Sequence, residues 1–233
     1  PGTTWRMIWD FIYSFASIVI SLSLGLMLGN VALGLPLSEQ HDFIGDWLSF
    51  FNPFSIMVAI TTLALFMLHG AIYLAMKTEN RLYTKMTLLA KSFTVFFVVA
   101  LGLTTLYTLL YIPHLSDRIR SSSQYFILPV IMFLAIANIP RQLNKGKYFN
   151  AFISSAVTIA SLLAMVAIEV FPYLLYATND ARNSITVENA ASSLKTMKTL
   201  LLIAAIGAPL VAMYTGFVFW TFKGKVELDE SSY

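Results

Sequence analysis

FNPFSIMVAITTLALFMLHGAIYLAM, residues Phe51–Met76, contains no Asp, Glu, Lys or Arg. A hydrocarbon core about 30 Å thick takes about 20 residues of α-helix, so this run has the length to cross a bilayer. Five further apolar runs meet or approach that length: Ile8–Leu33, Leu88–Ile112, Ser123–Ile139, Tyr148–Tyr176 and Met197–Phe222, of which Ser123–Ile139 is the shortest. Together they predict an all-α integral membrane protein, a polytopic helical bundle of about six transmembrane helices. The connections are too short for a separate soluble domain, which predicts a single transmembrane domain over residues 1–233.

Composition points the same way. The chain is 58% apolar and 12% charged, against about 25% charged in soluble proteins. The net charge of +3 comes from basic residues in short loops at helix ends. They form no aromatic-interleaved patch, so no nucleic-acid partner is expected. The absence of cysteine excludes disulfides, thiolate metal sites and cysteine nucleophiles. Three histidines bound any histidine chemistry. The chain opens Pro1-Gly2-Thr3-Thr4 without an initiator methionine or a basic-then-apolar leader, and further sequence upstream is expected. The first run carries Asp10 and ends near Asn30 and Gly34 without a small-residue cleavage site, so it reads as an internal helix.

Alternating the connections between two sides places Arg6, Lys77, Arg81, Lys85, Lys91, Arg141, Lys145, Lys147, Lys223 and Lys225 on one face. The other face receives Arg118, Arg120, Arg182, Lys195 and Lys198. This ten-to-five bias assigns the first face to the cytoplasm, with both ends of the chain inside. The segment Leu35–Ser49 agrees, since it has no basic residue and carries Glu39, Asp42 and Asp46. Trp5, Trp9, Trp47, Tyr107, Tyr111, Tyr125, Tyr148, Tyr173, Tyr176 and Trp220 fall at or near the expected interfaces, where amphipathic rings are favoured.

Local signals mark the helix ends and contacts. Asn52-Pro53 predicts an N-cap followed by proline in the first helical position, where a missing N–H is harmless. Gly25 and Gly29 lie four apart and predict a close helix–helix approach. Gly207 and Pro209 predict a kink in the last run, and Pro129 a bend in the fourth. A broken helix can line a transporter site, although most such kinks are structural.

Ionisable residues inside a span are costly and are functional candidates by default. Glu169, near the outer end of the fifth run, reads either as an interfacial carboxylate or as part of a proton or cation path. His69, with Tyr73 one turn on, reads as a packing histidine sharing a face and a hydrogen bond with that tyrosine, or as a haem or metal ligand. Asp10, beside Trp9, reads as a capping or Arg6-paired carboxylate or as an intramembrane polar group. No Walker loop, dinucleotide fingerprint, His-Glu-x-x-His or Gly-x-Ser-x-Gly is present, and no histidine pair is placed to sandwich haem. Catalytic, cofactor-binding and metal-binding residues are therefore expected to be none in this chain.

Several short patterns in order resemble subunit II of the cytochrome bd quinol oxidases. They are Trp9-Asp10, Gly25, Gly29-Asn30, Gly34-Leu35-Pro36, Asn52-Pro53-Phe54, and His69-Gly70-Ala71-Ile72-Tyr73-Leu74 followed by Lys77-Thr78. Near the end come Phe171-Pro172, Ala191-Ser192-Ser193 with Thr196, Pro209-Leu210, Tyr214-Thr215 and Trp220-Thr221-Phe222. Departures are Val170, where many members have methionine, and the added charge of Lys195 and Lys198.

The resemblance implies a non-haem subunit of a membrane quinol:oxygen oxidoreductase in a prokaryotic inner membrane. It implies a haem-bearing subunit I as partner, with haems b and d there and quinol as substrate of the complex. Small single-helix accessory subunits and membrane lipid or quinone are further expected partners. Family members usually begin with about three more helices, which hold motifs associated with a proton route, so this chain would represent the later helices. A secondary transporter and a structural membrane scaffold are the rival classes.

Overall fold

The computed structural model describes residues 3–112, 115 and 123–224. His114, Arg118, Arg120 and Lys225, used in the sequence reading, lie outside the described residues. Six helices are long and apolar enough to cross a membrane. They are α1 (Thr3–Leu33), α2 (Pro53–Lys77), α3 (Asn80–Tyr111), α4 (Ile127–Asn144), α5 (Tyr148–Val170) and α6 (Leu194–Thr221).

Each boundary has a local cause. α1 stops at Gly34, whose φ of +90° is a left-handed conformation that favours glycine. A Cβ there would also meet the Tyr176 carbonyl oxygen at 2.7 Å. α2 starts as expected, with the Asn52 side chain accepting from Ser55 N–H at 2.9 Å and Pro53 in the first turn. α3 begins at Asn80, eight residues before the expected Leu88, because Arg81 and Lys85 continue the helix beyond the apolar stretch. α4 is preceded by a 3-10 turn over Ser123–Phe126. Pro129 falls in its first turn, where the backbone needs no i−4 partner and no bend is required, whereas Pro140 lies inside the helix.

Two expectations are corrected. The fifth helix ends at Val170 and not at Tyr176, because the residue before a proline is disfavoured in helix. The Phe171-Pro172 bond is cis, and the chain beyond it forms β1 (Tyr173–Leu175), paired antiparallel with β2 (Ile185–Thr186). A small two-stranded sheet thus joins an otherwise helical fold. The last helix, in turn, is not broken: α6 runs as one α-helix through Gly207 and Pro209. The helix break that suggested a transporter is therefore absent from α6.

α2 is the centre of the bundle, packing against α1, α3 and α5, while α4 pairs with α5. Leu68 and Ile72 of α2, Phe97 of α3, Ile139 of α4 and Ala151 of α5 are fully buried in one apolar cluster. Gly25 and Gly29 set the α1–α2 distance. Added Cβ atoms would lie 2.6 Å from the Cα of Ala59 and 2.6 Å from the Cα of Ser55, closer than any side chain can sit. The small-residue reading of that pair matches this geometry.

One end of the bundle is capped by the segments 34–52 and 171–193, which knit together through backbone and amide bonds. Leu35 N–H donates to the Tyr176 carbonyl at 2.9 Å and Thr178 N–H to the Leu35 carbonyl at 3.1 Å. Leu37 N–H donates to Asn179 Oδ1, while the Asn179 and Asn183 amides both donate back to the Leu37 carbonyl, each at 2.9 Å. In the same segment Arg182 hydrogen-bonds Asp180, at 2.7 Å in the closest contact, and holds that carboxyl below its usual range. At the opposite end, Lys77 Nζ donates to the Phe222 carbonyl at 3.1 Å and so ties the end of α6 to the end of α2. A cation on the unsatisfied carbonyls of a helix C-terminus is the favourable arrangement.

Candidate functional site

Glu169 occupies the last turn of α5, and the stop at Phe171-Pro172 sets it beside the loop cap. It lines a cleft of about 320 Å³ together with Ala32 and Leu33 at the end of α1, Val170, Tyr173 and Tyr176. The cleft thus sets a half-buried carboxylate and two tyrosines beside an apolar wall.

His69 projects from α2 onto α5. Its Nδ1 lies 2.7 Å from Ser155 Oγ, and its ring packs 4.5 Å from that of Phe152. Ser155 Oγ donates its single proton to the Phe152 carbonyl at 2.8 Å, which makes His69 Nδ1–H the donor to Ser155 and leaves the lone pair on Nε2. Tyr73 shares the contact with Phe152, at 5.9 Å between centroids. The expected His69–Tyr73 hydrogen bond is replaced by this common ring contact, since α5 offers His69 a better-placed acceptor.

Asp10 is exposed on α1, and among the described residues it makes no ion pair with Arg6. Its backbone carbonyl accepts from Ser14 Oγ at 2.7 Å.

The three residues do not form one site. Ser155, which holds His69, precedes Glu169 by fourteen residues on α5, about 21 Å of helix. Asp10 precedes Asn30 by twenty residues on α1, about 30 Å, and Asn30 is at the capped end.

What the structure does bring together is a polar seam through α4, α5 and α2 that the sequence reading missed. Gln142 Nε2 donates to Asn138 Oδ1 at 2.9 Å, and Asn138 Nδ2 to Ser154 Oγ at 2.9 Å. Ser154 faces α4 and its neighbour Ser155 faces α2, so adjacent hydroxyls on α5 reach two partners. Thr61 and Thr104 join α2 to α3 with hydroxyls 2.8 Å apart. At the capped end, Asn30 Nδ2 donates to the Phe50 carbonyl at 2.9 Å and its Oδ1 accepts from Asn52 at 3.0 Å. The available signal was the spacing of Ser154, Ser155, Thr158 and Ser161 in an apolar run, with Asn138 and Gln142 one turn apart. Small hydroxyls and amides at such spacing join helices where lipid supplies no hydrophobic drive.

Among the described residues no group of three His, Cys, Asp or Glu is placed to hold a metal ion. Among the described residues His69 meets no second histidine: His41 lies in the loop cap with Nδ1 2.9 Å from the Asn183 carbonyl.

The fold has known relatives. The bd oxidase structure from Geobacillus thermodenitrificans superposes with a TM-score of 0.74 at 20% identity, over 94% of this chain and 65% of that one, a likeness of fold. Cytochrome bd-I ubiquinol oxidase subunit 2 of Escherichia coli K12 is 20% identical over 258 aligned positions, 98% of this chain and 68% of the relative. Cytochrome bd ubiquinol oxidase subunit 2 of Bacillus subtilis 168 is 22% identical over 227, covering 97% and 66%. The chain thus spans about two thirds of the length of these relatives. The family model described as cytochrome bd terminal oxidase subunit II matches residues 1–222, nearly the whole of the chain, and the chain belongs to that family.

Proposed function

We propose that this chain works as the non-haem subunit of a membrane quinol:oxygen oxidoreductase, beside a haem-bearing subunit I that carries haems b and d. The observation that carries the reading is the family match over residues 1–222, and relatives named as ubiquinol oxidase subunits support it. The physical work of the chain is packing and insulation. Its α2-centred bundle holds the partner in shape, and α6, which buries no residue within the chain, offers with the exposed face of α1 the surfaces for it and for small accessory helices. The setting is a prokaryotic inner membrane, with the Lys- and Arg-rich end of the bundle, and so both ends of the chain, in the cytoplasm.

Within that role Glu169 exchanges protons at the opposite end, His69 positions α2 against α5, and Asp10 is a surface carboxylate at the other end of α1.

Purification through a tag on this chain, with an absorption spectrum and subunit identification, tests the assignment. Haem bands and a co-purifying haem subunit are expected, and His69→Ala should leave those bands unchanged at equal assembly. Haem-free material that transports a solute would overturn the proposal. In the assembled oxidase, Glu169→Gln should slow oxygen reduction in a pH-dependent way while haem content persists. Unaltered turnover across pH would reduce Glu169 to an interfacial carboxylate.

A further inference from the structure

A second surface feature lies on the α4–α5 pair, away from the Glu169 cleft. Along α4, Ile131 is followed three and four residues on by Leu134 and Ala135, these by Asn138, and Asn138 three residues on by Arg141, so they share one face. With Val157 of α5 they line a groove of about 550 Å³, whose α4 wall covers about 15 Å of helix. The groove is apolar along most of its length. Its polar members differ in character: Asn138 is engaged by Ser154 and Gln142, whereas Arg141 is exposed and, among the described residues, has no carboxylate partner.

The α4–α5 hairpin itself, up to Ile168, carries charge of one sign. No Asp or Glu occurs anywhere in residues 118–168, while Arg141, Lys145 and Lys147 cluster at the α4–α5 turn. A cation at the end of α4 has one ordinary explanation in the negative end of the helix dipole, but that accounts neither for the apolar groove leading away from it nor for the two further lysines. An elongated apolar wall ending in a planar, phosphate-matching guanidinium and two more cations fits an amphiphile with one hydrocarbon tail along α4 and a phosphate at the turn.

We propose that the α4–α5 groove binds one anionic phospholipid, its acyl chain against Ile131, Leu134 and Val157 and its phosphate on Arg141, with Lys145 and Lys147 selecting for net negative headgroups. The site is independent of the oxidase assignment, since it uses only this chain's residues.

The test uses the chain with whatever subunits co-purify, exchanged into mixed phosphatidylglycerol and phosphatidylcholine and examined by native mass spectrometry. Phosphatidylglycerol should be retained in preference to phosphatidylcholine. Loss of one basic contact should reduce that preference roughly fivefold in Arg141→Gln, while Arg141→Lys keeps most of it. Val157→Trp, which fills the groove and leaves the cations in place, should abolish retention of both lipids. Inorganic phosphate at millimolar concentration should displace nothing; displacement of the lipid would mark a free-anion site and overturn the proposal. Undiminished preference in Arg141→Gln would overturn it as well. A photo-crosslinking amino acid in place of Val157 should give an adduct of lipid mass, and a protein adduct would show instead that another subunit covers the groove.

Discussion

α2 and α6 are alike in length, 25 and 28 residues, and both have the composition of a membrane span, yet α2 buries ten residues and α6 none. Apolarity therefore does not separate them. Of the ten buried on α2, Ser55, Ala59, Thr61, Ala64, Ala71 and Ala75 are small, and among them Ala59 and Ser55 meet the Gly25 and Gly29 backbone and Thr61 the Thr104 hydroxyl. α6 has small residues too, with Ala204, Ala208, Ala212 and Gly216 four apart and exposed, and Gly216 has no neighbour within 4 Å of an added Cβ. In lipid, an apolar surface is already solvated by the surrounding tails. What brings helices together is close backbone approach and satisfied polar groups, and α2 finds both with its neighbours in this chain.

The sharpest way to break that comparison is to put the same residue on both helices' small-residue faces. Gly25→Leu should cost about 3 kcal/mol or more, since its side chain has to displace the α2 backbone. It should show as a large loss of folded yield and a lower unfolding temperature in detergent. Gly216→Leu should leave the fold of the chain unchanged and instead reduce the amount of partner subunit that co-purifies. Equal damage to the isolated chain from both would show that α6 packs on the bundle after all.

A smaller effect is expected at the capped end. Asn30→Leu removes the donor to the Phe50 carbonyl and the acceptor of Asn52 in a buried setting, a loss of about 2 kcal/mol, read as a shift in thermal unfolding. A neutral result would mean that shape alone joins α1 to the α2 start.

The smallest effect has the opposite sign. Ser55 Oγ is buried and has no hydrogen-bond partner, so Ser55 serves the α1 contact by its size. Ser55→Ala should stabilise the chain by about 1 kcal/mol by removing an unsatisfied hydroxyl. Destabilisation would show that the hydroxyl itself is used.

Much of the helical fold was legible in advance because its signals are local. Asn52-Pro53 carries its own cap, Gly25 and Gly29 their own small-residue spacing, and Phe51–Met76 its own length. Errors fell where a boundary depends on residues further along the chain. The fifth run reads as apolar through Tyr176, but Pro172 ends the helix, and β2 pairs with β1 from about ten residues beyond it. The candidate polar residues were found individually. Their partners, such as Ser155 for His69, were not, because hydropathy carries no information on which helix faces which.

Six crossings, the Lys and Arg asymmetry and the family resemblance came from the sequence alone, since each depends on residue type and spacing along one dimension. Tertiary structure decided that α2 is central, that His69 binds Ser155 and not Tyr73, and that α6 stays uninterrupted through Pro209 and outside the core. Those outcomes depend on which neighbour a helix meets. In a bilayer nearly every span has the same apolar exterior, so the choice falls to a few glycines, hydroxyls and amides whose partners lie tens of residues away.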